Sequence, residues 1–237
     1  MSFILFVTLF WVFAVIAILL RAIPKFEIRT PIGASIKAIP GVLAVVFILR
    51  MQPDPVFFYS ILAIALFFCA CGDFSIEFKL IAGLGCFLIS HIFYVINFLL
   101  LSITIGLTPI PILAFVICLA ALMVYIFFYH RYLKTSETEI PRPMLRAVDF
   151  YAFMISLTLS ASLLLWLSSE LINGAYVFLG ALFFVISDSM IGIREFHHQS
   201  ARQEIQELLI LVTYYLAIFL LAVGTFQSIH ATIFTMP

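Results

Sequence analysis

Residues 65–101 read ALFFCACGDFSIEFKLIAGLGCFLISHIFYVINFLLL. The part of this stretch from Leu80 to Leu101 contains no Asp, Glu, Lys or Arg. It is long enough to cross a bilayer, because a helix needs about 20 residues to span a hydrocarbon core of about 30 Å. The charged residues Asp73, Glu77 and Lys79 lie just before it. The stretch therefore predicts two transmembrane helices joined by a short polar turn, with Asp73 at the end of the first.

The composition of the whole chain is that of a membrane protein. Its 237 residues are 65% hydrophobic and 10% charged, whereas soluble domains carry about 25% charged residues. The mean hydropathy is +1.24. The net charge is 0, so the composition predicts no nucleic-acid partner. We expect one membrane-embedded domain over residues 1–237. The 4 cysteines lie in apolar runs without a CxxC pair, which is typical of small core residues.

Apolar runs of spanning length recur along the chain and are joined by mostly short loops. We predict eight of them: Phe3–Leu20, Ile32–Leu49, Val56–Gly72, Leu80–Leu101, Pro109–Tyr129, Ala147–Leu167, Gly174–Ile193 and Leu208–Gln227. Only helices fit, because lipid offers no partner to an unpaired backbone amide and no barrel-like alternation is visible. The predicted fold class is an all-α membrane protein, a bundle of eight transmembrane helices. The third run is short, so either Asp73 is drawn into the membrane or the helix continues one turn through Phe78.

Basic residues are concentrated in the loops that follow the odd-numbered spans. These residues are Arg21, Lys25, Arg29, Lys79, Arg131, Lys134, Arg142, Arg146, Arg194 and Arg202. The opposite side holds only Arg50, and Lys37 lies within the second span. Positive loops stay in the cytoplasm, so we expect both termini on the non-cytoplasmic side. The membrane would be the endoplasmic reticulum in a eukaryote or the inner membrane in a bacterium, and the pattern predicts no particular oligomeric state.

Two aspartates occupy matching positions in apolar segments. ALFFCACGD ends at Asp73 and ALFFVISD ends at Asp188. A charged side chain at the centre of a membrane helix costs about 2.5–3.5 kcal/mol on insertion scales, so such residues are usually functional. The third and seventh spans run in the same direction, which brings both carboxylates to the same half of the bilayer. The structural alternatives are a helix cap for Asp73 and a hydrogen bond to a neighbouring helix for Asp188, beside the small residue Ser187.

Other polar side chains in the spans are weaker candidates. His91, Tyr94 and Asn97 are spaced by three residues and form a stripe on one helical face, which either lines a polar cavity or bonds to a neighbouring helix. Lys37 lies one turn inside the second span. It either extends to the headgroups or provides a fixed cation for a phosphate. His197 and His198 are adjacent and match no HExxH pattern, so we predict no metal and no other cofactor.

Paired carboxylates in a membrane cavity support a particular chemistry. In glycoside hydrolysis, one carboxyl donates a proton and the other stabilises an oxocarbenium-like transition state. A vinyl ether hydrolyses by similar logic: protonation at carbon gives an oxocarbenium ion, water adds, and the hemiacetal collapses to an aldehyde and an alcohol. We expect Asp188 to be the proton donor because it lies deeper in its span. Asp73, nearer water, would be the ionised partner, although the two roles could be exchanged.

Several short motifs, in order along nearly the whole chain, resemble the YhhN-like lysoplasmalogenase family of eight-helix membrane proteins. They are Lys37–Pro40, Gly72–Asp73, Phe87–Tyr94 with Phe98, Gly180–Asp188 and Tyr214–Ala217. The resemblance implies hydrolysis of the vinyl (alkenyl) ether bond of lysoplasmalogens to a fatty aldehyde and glycerophosphocholine or glycerophosphoethanolamine. It also implies that Asp73 and Asp188 are the catalytic acids.

The expected partners are therefore a lysophospholipid substrate and the surrounding membrane lipid. The residues expected to bind the substrate are Lys37, His91, Tyr94, Asn97, Ser187 and Tyr214.

Two other functions fit parts of the sequence. Intramembrane carboxylates also mark proton- or ion-coupled transporters, although no pair of spans shows matching Gly or Pro interruptions at mid-membrane. A metal-dependent membrane lipid hydrolase of the ceramidase kind would need a His-rich helix face, and only His91 lies well inside a span.

Overall fold

The computed structural model of the protein describes residues 1–22, 30–52, 57–136, 141–169, 172–196 and 203–235. These residues form eight α-helices, each long and apolar enough to cross a membrane, as an integral multi-pass protein requires. The all-α prediction with eight spans is confirmed. The helices are α1 (Phe3–Ala22), α2 (Pro31–Met51), α3 (Phe57–Ile76), α4 (Leu80–Ile105), α5 (Pro109–Leu133), α6 (Arg142–Ser169), α7 (Ile172–Phe196) and α8 (Gln203–Thr235).

The helices extend beyond the predicted apolar runs, because a helix continues through its polar ends after the apolar residues stop. The largest differences are at α6 and α8, which begin at Arg142 and Gln203. Of the two alternatives for the short third span, the structure supports the longer helix: α3 continues one turn past Gly72 and ends at Ile76, so Asp73 lies within a helical turn. The predicted start at Val56 lies outside the described residues.

Local sequence sets several helix ends. Thr30 caps α2 by accepting a hydrogen bond from the Gly33 amide at 3.2 Å, and Pro31 follows at the first helical position. At the end of α4, Gly106 has a φ of 111°, a conformation that glycine adopts without the steric cost borne by other residues. Its amide donates to the Ser102 carbonyl at 3.1 Å and closes the helix.

Seven of the helices pack as a closed ring in the order α1, α2, α3, α4, α6, α7, α8 and back to α1. The last helix, α8, also contacts α2, α3 and α4, so it lies towards the centre of the bundle. The remaining helix, α5, packs along α6, and only Pro111 and Leu133 of it are buried. Most of α5 therefore faces lipid. Side chains from α3, α4, α6, α7 and α8 meet inside the ring.

The contact between α7 and α8 depends on glycines. A Cβ atom placed on Gly180 would lie 2.9 Å from the Leu221 amide nitrogen and 3.1 Å from the Ala217 carbonyl oxygen. A Cβ atom on Gly224 would lie 2.9 Å from the Val177 nitrogen. Small residues let the backbones of membrane helices approach closely. These two glycines therefore fix the spacing between the helix that carries Asp188 and the central helix.

We expect Gly180→Ala to separate α7 from α8 and to lower the free energy of unfolding by about 1–3 kcal/mol, the usual effect of overpacking. Titration with a denaturing detergent, followed by circular dichroism, measures this change. Gly85→Ala is the matched control, because a Cβ atom there meets nothing within 4 Å. Alanine also favours a helix more than glycine does, so the control should be neutral or slightly stabilising. Equal effects of the two substitutions would contradict the close-packing argument.

Candidate active site

Asp188 lies on α7 and forms a hydrogen bond with Tyr151 of α6. The Tyr151 hydroxyl donates to Asp188 Oδ2. Tyr151 is buried, whereas Asp188 is only half-buried. The bond fixes the orientation of one carboxylate oxygen in the seam between α6 and α7.

Asp188 lines a cavity between α4, α5, α6 and α7. The cavity holds about 670 Å³, including its open mouth. Its wall is largely apolar, and Leu84, Phe87, Ile155 and Val185 are part of it. Among the described residues, Asp188 and Glu195 are the carboxylates that line this space, and a largely apolar space of this size suits a hydrocarbon chain. For convenience we call it the apolar cavity.

Two tyrosines of α5 close one side of the apolar cavity. The Tyr125 hydroxyl donates to Ser189 Oγ at 2.7 Å, and the Tyr129 hydroxyl donates to the Ser189 carbonyl at 3.1 Å. The two tyrosine rings also stack on each other, with centroids 5.7 Å apart. Because the rest of α5 faces lipid, these tyrosines stand between the cavity and the bilayer.

Asp73 is held in a different environment. Its Oδ2 atom accepts a hydrogen bond of 2.7 Å from the hydroxyl of Tyr214 on α8. Only 1% of the Asp73 residue is exposed, and its Oδ1 atom has no hydrogen-bond partner among the described residues. The expectation that Asp73 lies nearer water than Asp188 is therefore wrong. The reason is that α3 continues past Asp73 while the central helix α8 covers it.

Aromatic rings separate the two carboxylates. The Phe87 ring lines the apolar cavity and also contacts the Tyr214 ring, with centroids 5.9 Å apart. A Cβ atom on Gly72 would lie 2.7 Å from the Phe87 ring, so Gly72 makes room for it. Asp73 and Asp188 thus lie on either side of the Phe87 and Tyr214 rings, and of the two carboxylates only Asp188 is among the described residues that line the cavity.

His91 lies fully buried between these groups, and its hydrogen bonds define its tautomer. Its Nδ1 atom is 3.1 Å from Thr158 Oγ1. The Thr158 hydroxyl donates its only proton to the Met154 carbonyl at 3.0 Å, so it accepts from the histidine. Nδ1 therefore carries the proton and Nε2 is an acceptor. Within the described part of the chain, Nε2 has no hydrogen-bond partner. The ring itself contacts Phe184 at 4.7 Å and Tyr151 at 5.7 Å.

The other predicted substrate-binding residues make contacts between helices. The Tyr94 hydroxyl lies 3.9 Å from Cys69 Sγ, and Ser187 donates to the Ile210 carbonyl at 3.1 Å. Asn97 donates to the Phe58 carbonyl at 2.7 Å, near the start of α3. At 1.5 Å per residue, Asn97 is about 9 Å along α4 from His91. The structure thus brings His91 and Tyr214 next to the aspartates, whereas Asn97 joins α3 to α4 elsewhere.

Lys37 belongs to a chain of ion pairs at one end of the bundle. Its Nζ atom is 2.9 Å from Glu77, which is 2.7 Å from Arg21. Arg21 is 3.1 Å from Glu207, which in turn is 3.3 Å from Arg194. Glu77 therefore fixes the Lys37 ammonium at this end of the bundle. The Tyr215 hydroxyl also donates to the Lys37 carbonyl at 3.1 Å.

Glu77 lies just after α3 and is the centre of this chain of ion pairs. Its side chain is only 3% exposed. Burial acts to raise its pKa, but Lys37 and Arg21 act against burial and together hold the pKa of Glu77 below its ordinary value. The glutamate is therefore ionised at neutral pH and bridges two cations.

The model of the YhhN family matches residues 33–225. The chain belongs to the YhhN family. This membership confirms the resemblance predicted from the sequence, and the matched region includes both aspartates. No curated protein and no solved structure matches the chain.

Among the described residues of this YhhN family protein, no three His, Cys, Asp or Glu side chains are grouped as metal ligands would be. His197 and His198, which the sequence analysis considered for zinc, lie outside those residues.

Several residues of the site in this YhhN family protein were missed by the sequence analysis. They are Tyr151, Thr158, Glu77, Arg21 and Glu207. Helical spacing could have indicated three of them. Glu77 follows Asp73 by one turn, and Tyr151 and Thr158 lie two turns apart on one face of α6. Spacing could not have indicated Arg21 or Glu207, because their ion pairs join distant parts of the chain.

Proposed function

We propose that the protein hydrolyses the vinyl ether bond of lysoplasmalogens. The products would be a fatty aldehyde and glycerophosphocholine or glycerophosphoethanolamine. Membership of the YhhN family fits this reaction. The observation that carries the proposal is the position of Asp188, which is oriented by Tyr151 in the wall of an apolar cavity large enough for an alkenyl chain.

In the proposed reaction, Asp188 donates its proton to the second carbon of the alkenyl chain. The double-bond electrons form the new C–H bond, and the positive charge is shared between the first carbon and the ether oxygen. Water then adds to the first carbon and loses a proton. The hemiacetal collapses to the aldehyde and the free glycerol hydroxyl, and one proton returns to Asp188. The sum consumes one water molecule and needs no oxidant or reductant.

Asp73 would assist through its charge. Its carboxylate accepts a hydrogen bond from the Tyr214 hydroxyl, a contact that favours the ionised form. A negative charge near the cavity stabilises an oxocarbenium ion, as the second carboxyl does in glycoside hydrolysis. The Oδ1 atom of Asp73 and the Nε2 atom of His91 are both buried acceptors without a hydrogen-bond partner among the described residues. Neither residue is part of the described lining of the apolar cavity, so His91 would act as a positioning residue, and the proton of the attacking water would pass to Asp188.

The protein would carry out this reaction inside a membrane. The basic end of the bundle, with Arg21 and Arg194, would face the cytoplasm and the termini the other side. The whole chain would act as one domain in the endoplasmic reticulum of a eukaryote or the inner membrane of a bacterium. Tyr94, Asn97 and Ser187 would support the substrate pocket through their contacts between helices.

The test uses purified protein in detergent with three lysophospholipids that differ only in an alkenyl, alkyl or acyl chain. We expect aldehyde from the alkenyl lipid alone. In D2O, the aldehyde should carry one deuterium at its second carbon, because the mechanism protonates that carbon. Mass spectrometry measures both results. Detergent removes any gradient, so a transporter would release no aldehyde. Absence of aldehyde from the alkenyl lipid would refute the proposal.

A further inference from the structure

The chain of ion pairs lines a second cavity, which we call the charged cavity. Its lining includes Arg21, Lys37, Glu77, Arg194 and Glu207. These side chains come from α1, α2, the end of α3, α7 and the start of α8. The cavity holds about 360 Å³ including its mouth. Five segments thus direct charged groups into one small space at the end of the bundle.

The charged cavity adjoins the apolar cavity. Ile76 and Ile191 line both of them, so the two spaces share a wall. One cavity is suited to a hydrocarbon chain and the other to charged groups. A lysophospholipid has the same division, because its single chain joins a charged headgroup through glycerol. Placing the chain beside Asp188 would bring the headgroup towards the charged cavity.

The charges of this cavity alternate in sign. The order is Lys37, Glu77, Arg21, Glu207 and Arg194, and each neighbouring pair is within 3.3 Å. Arg194 also lies 3.9 Å from Glu195, so the three cations are matched by three carboxylates. A simple anion would add an unbalanced negative charge, because the three cations are already matched by carboxylates. A zwitterion can place its phosphate against the free donors of Lys37 and the arginines, and its ammonium against a carboxylate.

The two carboxylates that line the charged cavity are not equivalent. Both oxygens of each carboxylate are bound, but the Glu77 side chain is only 3% exposed. The Glu207 side chain is 27% exposed, and its Oε1 contact with Arg194 is the longer one at 3.3 Å. Each carboxylate oxygen has more than one lone pair, so Glu207 can receive a further cation. Glu207 is therefore the carboxylate available to an ammonium group.

We propose that the charged cavity binds the zwitterionic headgroup of the lysophospholipid, with Glu207 as the residue that selects the ammonium group. This inference rests on the proposed function for the position of the lipid chain. It adds the location of the headgroup and a specificity-determining residue. Arg21, Lys37 and Arg194 would hold the phosphate.

The test measures binding of two acyl lysophospholipids of equal chain length, lysophosphatidylcholine and lysophosphatidylglycerol. Both carry a phosphodiester, but only the first has an ammonium group. Neither has a vinyl ether, so binding is scored without turnover and does not depend on aldehyde release. Native mass spectrometry of the detergent-solubilised full chain, titrated with each lipid, gives the two dissociation constants.

We expect wild-type protein to prefer lysophosphatidylcholine on the order of tenfold, the effect of one partly desolvated charge pair. Glu207→Gln should abolish the preference by weakening the choline lipid alone, and Glu207→Asp should retain it. Arg194→Gln should weaken both lipids equally. Asp149→Asn is the matched control: Asp149 pairs with His130 at 2.8 Å, and it is not among the described residues that line either cavity. This control should bind as wild type does.

Three results would overturn the inference. Equal binding of the two lipids by wild-type protein would mean a phosphate site without ammonium selection. An equal loss for both lipids in Glu207→Gln, with melting temperature unchanged, would mean that Glu207 only holds the arginines. A loss in Asp149→Asn matching that in Glu207→Gln would show a general effect of lost carboxylates. Failure of the aldehyde assay with these binding results intact would refute the reaction but not the headgroup site.

Discussion

Asp188→Asn should lower the rate of aldehyde release from an alkenyl lysophospholipid by about 10³-fold, within the range observed for loss of a general acid. Asparagine has nearly the same shape and can still accept a hydrogen bond from Tyr151, so the cavity should keep its form. It cannot donate a proton to carbon, which is the step that begins the proposed reaction. The measurement is the initial rate by mass spectrometry, at equal concentrations of folded protein.

The control for this result is Asp149→Asn, which removes another carboxylate from the adjacent helix α6. Asp149 pairs with His130 and is absent from the described lining of both cavities, so its loss should leave the rate unchanged. Asp73→Asn should also reduce the rate strongly, because the oxocarbenium ion would lose a stabilising charge. Aldehyde release at the wild-type rate by either Asp73→Asn or Asp188→Asn would defeat the two-carboxylate mechanism.

Glu77→Gln should have the largest effect on stability, lowering the free energy of unfolding by about 3–5 kcal/mol, as loss of one partner from a buried ion pair does. Glu77 bridges Arg21 and Lys37, and its side chain is 3% exposed. The variant would leave the half-buried ammonium of Lys37 without its carboxylate. Titration with a denaturing detergent measures the change. Glu195→Gln is the control, because its side chain is 41% exposed and its nearest cation is 3.9 Å away. It should change stability by less than about 1 kcal/mol.

The stability contribution of Glu77 should also depend on pH. Its pKa in the folded protein is held below the ordinary value of 4.5. The unfolded chain therefore binds a proton first, and the contribution is complete above about pH 4.5 and is lost as the pH falls through the lowered value. Glu77→Gln should remove this acid-dependent part of the unfolding free energy. The same loss of stability in wild type and variant between pH 6 and pH 3 would contradict the assignment.

Much of the fold was accessible from sequence because a membrane imposes a simple rule. Lipid requires helices of fixed minimum length, so apolar runs such as Leu80–Leu101 identify spans directly. The predicted ends of the helices were less accurate. The run that stops at Gly72 continues as helix to Ile76, since a polar helix end loses nothing by continuing into the interface. Asp73 therefore lies in a helical turn that α8 covers, and not at the end of a helix.

The site was only partly predictable, for a related reason. The sequence singled out Asp73, Asp188 and His91 because a polar side chain within an apolar run is costly and therefore conspicuous. Tyrosine and threonine are common in membrane helices, so Tyr151 and Thr158 did not stand out as partners. The three-residue spacing did not predict that Asn97 donates to the Phe58 carbonyl at the start of α3, because residues spaced by three drift around a helix and also advance along it.

The sequence by itself determined that the chain forms eight membrane helices of the YhhN family and which carboxylates lie inside them, because hydropathy and the cost of buried charge act along the chain. Only the tertiary structure decided that Asp188 faces a cavity while Asp73 is covered, and that Glu77 joins Lys37 to Arg21. Those facts depend on which helices become neighbours. The position of α8 at the centre and the glycine contact at Gly180 result from packing between distant segments, and periodicity within one helix carries no information about them.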